Sequence, residues 1–436
     1  MQIRTIRWPD ERQAILDHIQ LVHGAEDGAL LAKWYGTMPG FDPADCFVID
    51  SDTDETGDGG TTGEIAAHAM LLPRHIQFGK SVLSAAEIGV VGTLEAYRHR
   101  GYATALIDRV IERMAERRDA VGVVFGIPNF YERWGYEYSM GLYLTSYESL
   151  LDTELALKAG KWNFGHSHQR RTAARLGISG KDITVRPFAL SDLPAVMSLY
   201  AQGAVEGHSI MVRDEPTWVW QLNYMEDIGR SDPTSFLVAE HDGAILGYLR
   251  MVANAPVNWF RADSSLFSII ECEGDDPDAT EALLAEAAAC ARDFAVEQIG
   301  LYVHPQSRLM THALAHGAAM RSFTGAGFLR LNDLPLLLEG MTDTLHGRLE
   351  DTVFDKHPIR LRVSTEANSA EIVIGSGDGS EELATLESPA PDLMRLFSGW
   401  YGLGNLVEGS YTLRQEKLLS VLFPQSDPRV GIADLI

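Results

Sequence analysis

The sequence predicts a mixed α/β protein of the α+β class, built from two copies of one pattern followed by a smaller third unit. Three observations carry this reading. An apolar, strand-like run from Ile88 to Thr93 leads through a short turn into a strongly periodic helix. Leu106, Val110 and Met114 share one face of that helix, with Ile107 and Ile111 beside them. From Ile183 the same order of elements begins again. Past about Phe328 it gives way to short strands and a helix. A length of 436 residues suggests two to four domains, and 45% hydrophobic residues supply sizeable cores.

The first unit, residues 1–146, opens with a strand from Ile3 to Trp8 and a helix from Glu11 to Val22. Strands follow at Cys46 to Asp50 and Gly63 to Leu72. After the turn and its helix comes another strand, Val121 to Phe125. Helices covering a largely antiparallel sheet are expected. Residues 147–182 read as a connector. The second unit, residues 183–327, restarts with Ile183 to Pro187 and a helix from Ser191 to Gln202. A hairpin spans Ser235 to Glu240, Asp242-Gly243 and Ala244 to Val252. Then come a strand (Leu266 to Ile270), a helix (Ala279 to Ala295) and a strand (Ile299 to Val303). The third unit, residues 328–436, has strand-like stretches at Ile359 to Val363 and Ala370 to Ile374, and a helix from Ala390 to Trp400.

The turn Tyr97-Arg98-His99-Arg100-Gly101-Tyr102-Ala103 is the sharpest chemical signal. Between strand and helix it aims several backbone N–H groups at one spot, and the helix N-terminus adds partial positive charge. Gly101 admits an anion close to the backbone. Arg98 and Arg100 add charges suited to phosphate. The expected ligand of the amides from Arg98 through His99 and Tyr102 to Ala103 is a pyrophosphate.

Composition narrows the class further. No apolar run approaches the length of a membrane span, and charged residues from Arg4 to Arg12 speak against a signal peptide. The three cysteines, Cys46, Cys272 and Cys290, are widely spaced, which fits a reducing cytoplasm and no cysteine-rich metal site. A net charge of -25 argues against nucleic acid as partner; it would attract a cationic substrate, and equally fits acidity that serves only solubility or reflects a saline cytoplasm. Asp50-Ser51-Asp52-Thr53-Asp54 begins like a calcium loop, but Glu55 and Thr61 stand where Gly and Glu are needed. It reads as an acidic hairpin loop. His166 and His168 lack a third ligand and read as linker residues. Trp218 and Trp220 read as core.

Strand, Arg98-x-x-Gly101-x-Ala103 turn, helix, strand and then Phe130-Tyr131-Glu132-Arg133-Trp134-Gly135-Tyr136 resembles the core of the GNAT acyl-CoA N-acyltransferases. The resemblance implies that the turn holds the pyrophosphate of acetyl-CoA and that Phe130 to Tyr136 lies beside the thioester. It implies backbone contacts from Val91 and Thr93, with the Val91 N–H as oxyanion donor. Tyr131 matches the family's catalytic tyrosine, the acid that protonates the leaving thiolate; Tyr136 and Tyr138 read as structural. The second unit resembles the same fold but has Glu273-Gly274-Asp275-Asp276-Pro277-Asp278 in place of the turn. Its carboxylates are unsuited to a pyrophosphate, so it reads as a coenzyme-free half. The third unit resembles a sterol-carrier-protein type domain.

This three-part order resembles the Eis (enhanced intracellular survival) family of acetyltransferases. It implies acetyl transfer to primary amines of aminoglycosides, polyamine-like compounds or lysine side chains, without metal. It further implies a homohexamer, and a C-terminal carboxylate, here that of Ile436, docked in the active site as base. A protein-lysine acetyltransferase, or a lipid or small-molecule carrier with vestigial acyltransferase halves, are the other readings.

Overall fold

The computed structural model describes residues 1–51, 64–127, 129–141, 145–147, 176–227, 235–252, 267–293, 299–315, 327–406, 411–426, 428–430 and 434. The acidic loop from Asp52 onward and the His166/His168 segment lie outside these residues. The chain divides into two compact units: Met1–Ser139 with Ala326–Ser426, and Met140–Gly325 with Asp427–Ile436.

The first unit opens with β1 (Ile3–Thr5), α1 (Arg12–His23), α2 (Ala25–Trp34), β2 (Cys46–Asp50), β3 (Ile65–Phe78) and β4 (Ser81–Thr93). It continues with α3 (Tyr102–Arg117), β5 (Val121–Phe125) and β6 (Glu137–Met140). The alternation of β3 decides what covers each face. Ala67, Ala69 and Leu71 pack in one core with Leu106, Ile107, Val110 and Met114 of α3. His68 and Leu72 point the other way: beside Gly92 lie His68 and Val22, and beside Gly89 lie Leu72 and Trp34. The helical pair α1–α2, of which α2 was not anticipated, therefore lies on the opposite face. Asp45 fixes α3 from the side, pairing with Arg113 at 2.6 Å and Arg117 at 2.5 Å while itself buried.

The second unit carries β7 (Thr145–Tyr147), β8 (Thr184–Pro187), α4 (Leu193–Val205), α5 (Glu215–Asp227), β9 (Phe236–His241) and β10 (Ala244–Val252). β11 (Phe267–Glu273), α6 (Pro277–Asp293), β12 (Ile299–Leu301) and α7 (Arg308–Ala315) complete it. Its six strands run β7-β12-β11-β10-β9-β8. The stretch β8-β9-β10-β11-β12 repeats the spatial order β1-β2-β3-β4-β5, with two helices after the first strand and one between the fourth and fifth. Trp218 is fully buried in the core under β9 and β10, whereas Trp220 stacks on Tyr224.

The chain then returns to the first unit. β13 (Gly327–Leu331) pairs antiparallel with β5, with Val123 opposite Leu329. The sheet order becomes β1-β2-β3-β4-β5-β13-β6. The sequence put Phe328 at the start of a third unit; in the structure its strand lies within the first sheet, between β5 and β6. Beyond it lie α8 (Leu334–Gly340), α9 (Thr342–Leu349), β14 (Ile359–Ser364), β15 (Ser369–Ile374), β16 (Glu382–Glu387), α10 (Ala390–Ser398) and α11 (Leu413–Leu422). β14 is central in this small sheet, antiparallel to β15 and parallel to β16. The alternation of β14, with Ile359, Leu361 and Val363 fully buried, made it legible.

Candidate active site

β4 is the axis of the site. Its parallel pairing with β5 covers only Ala85 to Ile88 opposite Val121 to Val124. Beyond Ile88 the two strands separate, and Gly89 to Thr93 have no register partner on β5. On the other edge the register slips. Gly89 faces Met70 and Gly92 faces His68, so Val90 and Val91 stand opposite the single residue Ala69. Val90 takes φ of 46°, an uncommon value for a branched residue. This is a β-bulge, which takes backbone groups out of the ladder and re-aims them. Val91 lies in it, where β4 has left β5.

Past Thr93 a single helical turn, Glu95–Tyr97, leads into Arg98 to Gly101. His99 and Gly101 adopt left-handed φ values of 63° and 80°. Gly101 is the N-cap of α3, and among the described residues no side chain caps the amides there. A Cβ built on Gly101 would meet no atom of the described residues within 4 Å. The first turn of α3 thus offers open N–H groups over free space, as a bound pyrophosphate requires. Arg98 donates from Nε to the Thr93 carbonyl at 3.4 Å, and the Arg100 guanidinium lies 5.1 Å over the Tyr97 ring. Both arginines are exposed and held at the loop, while Tyr102 is buried.

Tyr131 is 6% exposed and packs among Phe130, Trp134 and Tyr136. Its ring lies against Gly126, the residue after β5, where a Cβ would come within 2.2 Å of Cε2. Burial pushes its pKa up to about 12, so the phenol stays protonated near neutrality and can serve as an acid. Tyr136 is fully buried, its hydroxyl 3.7 Å from Met114 Sδ, and Tyr138 lies on Phe328 at 4.1 Å; both are packing residues.

In the sequence no histidine or glutamate near the motifs stands in an obviously suitable place for a base. The structure supplies two histidines, on the α1–α2 face. His18 and His68 are buried edge to face at 4.8 Å, and the His68 ring lies against Gly92, next to Val91. His18 faces the backbone of Ile65 and Gly92, yet no ring nitrogen of either imidazole reaches hydrogen-bond geometry among the described residues. Burial lowers the His18 pKa to about 4 and holds His68 well below the usual histidine range. The residues come from elements some fifty positions apart, and no local pattern joins them.

Ile436 lies outside the described residues. Asp434, two positions earlier, is buried within the second unit, accepting from Arg213 Nε at 2.6 Å and lying 3.5 Å from the Tyr200 hydroxyl. In the same unit, Asp276 Oδ1 accepts from the amides of Asp278 and Ala279 at 3.0 Å, at the start of α6. A carboxylate of the chain itself thus occupies the helix end that corresponds to the Gly101 turn. Among the described residues no group of three or more His, Cys, Asp or Glu side chains could hold a metal ion, and no helix is long and apolar enough to cross a membrane.

Residues 2–139, the segment that contains the bulge, the turn and Tyr131, match the family model described as an acetyltransferase (GNAT) domain. The chain is an enzyme of the N-acetyltransferase class, with that domain at its N-terminus. Solved structures share the fold over nearly the whole length. The GCN5-related N-acetyltransferase from Anabaena variabilis is 14% identical, covering 98% of this chain and 99% of its own, with a TM-score of 0.66. The GCN5-related N-acetyltransferase from Kribbella flavida is 15% identical over 98% of this chain and 97% of its own, at 0.65. Eis1 from Mycobacterium abscessus is 18% identical over 97% of each chain, at 0.62. No curated protein matches the sequence.

Proposed function

We propose that this enzyme transfers an acetyl group from acetyl-CoA directly to a primary amine, in the manner of the Eis family. One observation carries the reading: the β4 bulge at Val90–Val91 lies beyond Ile88, where pairing with β5 has ended, on the same strand that leads to the uncapped Gly101 turn. The turn amides, with Arg98 and Arg100, grip the pyrophosphate. The Val91 N–H stabilises the oxyanion that forms when the amine nitrogen attacks the thioester carbonyl. The C–S bond then breaks, and Tyr131 gives its phenolic proton to the departing thiolate. The amine proton leaves to a base, for which the Eis resemblance supplies the Ile436 carboxylate.

The repeated strand order supports reading the second unit as a GNAT-like half without coenzyme, and domain order supports a sterol-carrier-like third part. The same resemblance suggests a cytoplasmic homohexamer; closed symmetry is the usual outcome for soluble homo-oligomers. Thiol release from acetyl-CoA, measured across aminoglycosides, polyamines and lysine peptides, tests the function. Turnover with small amines is expected. Turnover restricted to peptides points to protein-lysine acetylation, and no turnover with any amine defeats the proposal.

A further inference from the structure

We infer that Arg133 is a coenzyme-specificity residue: its guanidinium receives the 3′-phosphate of coenzyme A, the group that 3′-dephospho-coenzyme A lacks. The inference rests on acetyl-CoA as the co-substrate and adds a contact that the Gly101 turn does not supply. Two hydrogen bonds across one helix flank fix the position. Arg133 donates from Nη2 to Thr104 Oγ1 at 3.3 Å, and Trp134 donates from Nε1 to Asp108 Oδ1 at 2.7 Å. Thr104 and Asp108 stand four residues apart and share one face of α3. Arg133 therefore sits at the N-terminal edge of that face, about 3 Å along the axis from Tyr102, where α3 begins.

The side chain is held ready for an anion. Its guanidinium lies 4.0 Å from the centre of the Trp134 ring and 4.7 Å from that of Phe130. A planar guanidinium stacks well on such faces and keeps its N–H edge free for a partner. An arginine that is already stacked and hydrogen-bonded has less rotamer freedom left to lose when a ligand arrives, which lowers the entropic cost of binding.

Its charge is uncommitted. Farther along α3, Arg109 pairs with Glu116 at 2.9 Å, Arg113 with Asp45 at 2.6 Å and Arg117 with Asp45 at 2.5 Å. Arg133 is exposed and meets no carboxylate among the described residues; the same holds for Arg98 and Arg100. The chain has 61 aspartates and glutamates against 36 lysines and arginines. Three unneutralised arginines around the opening turn of one helix, in so acidic a chain, point to a ligand with several negative charges. The turn amides, Arg98 and Arg100 precede the helix and serve the pyrophosphate at its end. Arg133 lies on the flank, offset from that end, and coenzyme A carries a further phosphate one ribose away. A terminal phosphate presents three oxygens, which suits the two-pronged edge of a guanidinium.

Calorimetric titration of the full chain with coenzyme A and with 3′-dephospho-coenzyme A tests the assignment. The wild type is expected to bind coenzyme A about tenfold or more tightly than the dephospho form. Arg133→Gln should lower the affinity for coenzyme A to that of the dephospho form, whose own affinity stays at its wild-type value. Arg133→Lys keeps the charge without the planar fork and should retain part of the preference. A purely structural role would weaken both ligands alike. Equal losses for the two ligands, an undiminished preference in Arg133→Gln, or a wild type without the preference overturn the inference. Acetyl transfer plays no part in this readout. A chain that acetylates no amine, yet loses the preference in Arg133→Gln, refutes the proposed reaction and leaves the role of Arg133 standing.

Discussion

The Tyr131 ring occupies the space that a side chain at Gly126 would need: a Cβ there would fall 2.2 Å from Cε2. The glycine after β5 thus sets where the acidic hydroxyl sits. Gly126→Ala should push the ring aside, and a misplacement of about 1 Å can cost on the order of 10²-fold. The expected result is a kcat loss of that size with acetyl-CoA affinity nearly unchanged. Wild-type kcat would show that the hydroxyl position is not critical.

Tyr131→Phe removes the proton and keeps the ring. General acid catalysis is worth roughly 10²- to 10⁴-fold, and kcat should fall within that range while calorimetric affinity for acetyl-CoA holds. A loss below about threefold would assign protonation of the thiolate to water or another group.

Gly101→Val should abolish acetyl-CoA binding. A branched residue is strained at φ of 80°, and its side chain would project into the open space beside the uncapped amides. Unchanged affinity by calorimetry would rule out this turn as the pyrophosphate site.

His18 makes the first unit acid-sensitive. Burial first, and the nearby His23 charge second, lower its pKa from 6.5 to about 4. The unfolded chain therefore binds a proton that the folded chain resists. The stabilising term is present in full above about pH 6.5 and is lost as pH falls toward 4, reaching about 2 kcal/mol by pH 5. Urea midpoints of wild type and His18→Leu, compared at pH 7.5 and 5, should show a smaller acid loss in the variant. Parallel losses would mean that His18 is not buried as a neutral ring.

Extending the chain past Ile436, or amidating it, should cut turnover strongly and spare acetyl-CoA binding, if the terminal carboxylate is the base. Ile436→Leu should be mild because the carboxylate remains. Full activity in a C-terminally tagged protein would send the search for a base to His68 and His18.

Local signals were legible and long-range ones were not. The turn from Arg98 to Ala103 announces itself because glycine, arginines and an amphipathic helix are contiguous. Strands β5 and β14 follow from their apolar patterns. The Val90 bulge leaves no mark in the periodicity of β4, since its cause is the register against β3. His18 and His68 meet only when α1 lies on the sheet.

The return of β13 to the edge of β5 has a consequence for biosynthesis. Val121 to Phe125 leave the ribosome about two hundred residues before their partner, Gly327 to Leu331. At about 5–20 residues per second, that edge waits on the order of 10–40 s for its neighbour. During this interval a nascent catalytic half presents an apolar strand with an open ladder, the kind of edge that templates association between chains. Slow codons or chaperone capture between residues 126 and 327 would therefore govern soluble yield. Fragments that stop at residue 146 should aggregate where the full chain does not.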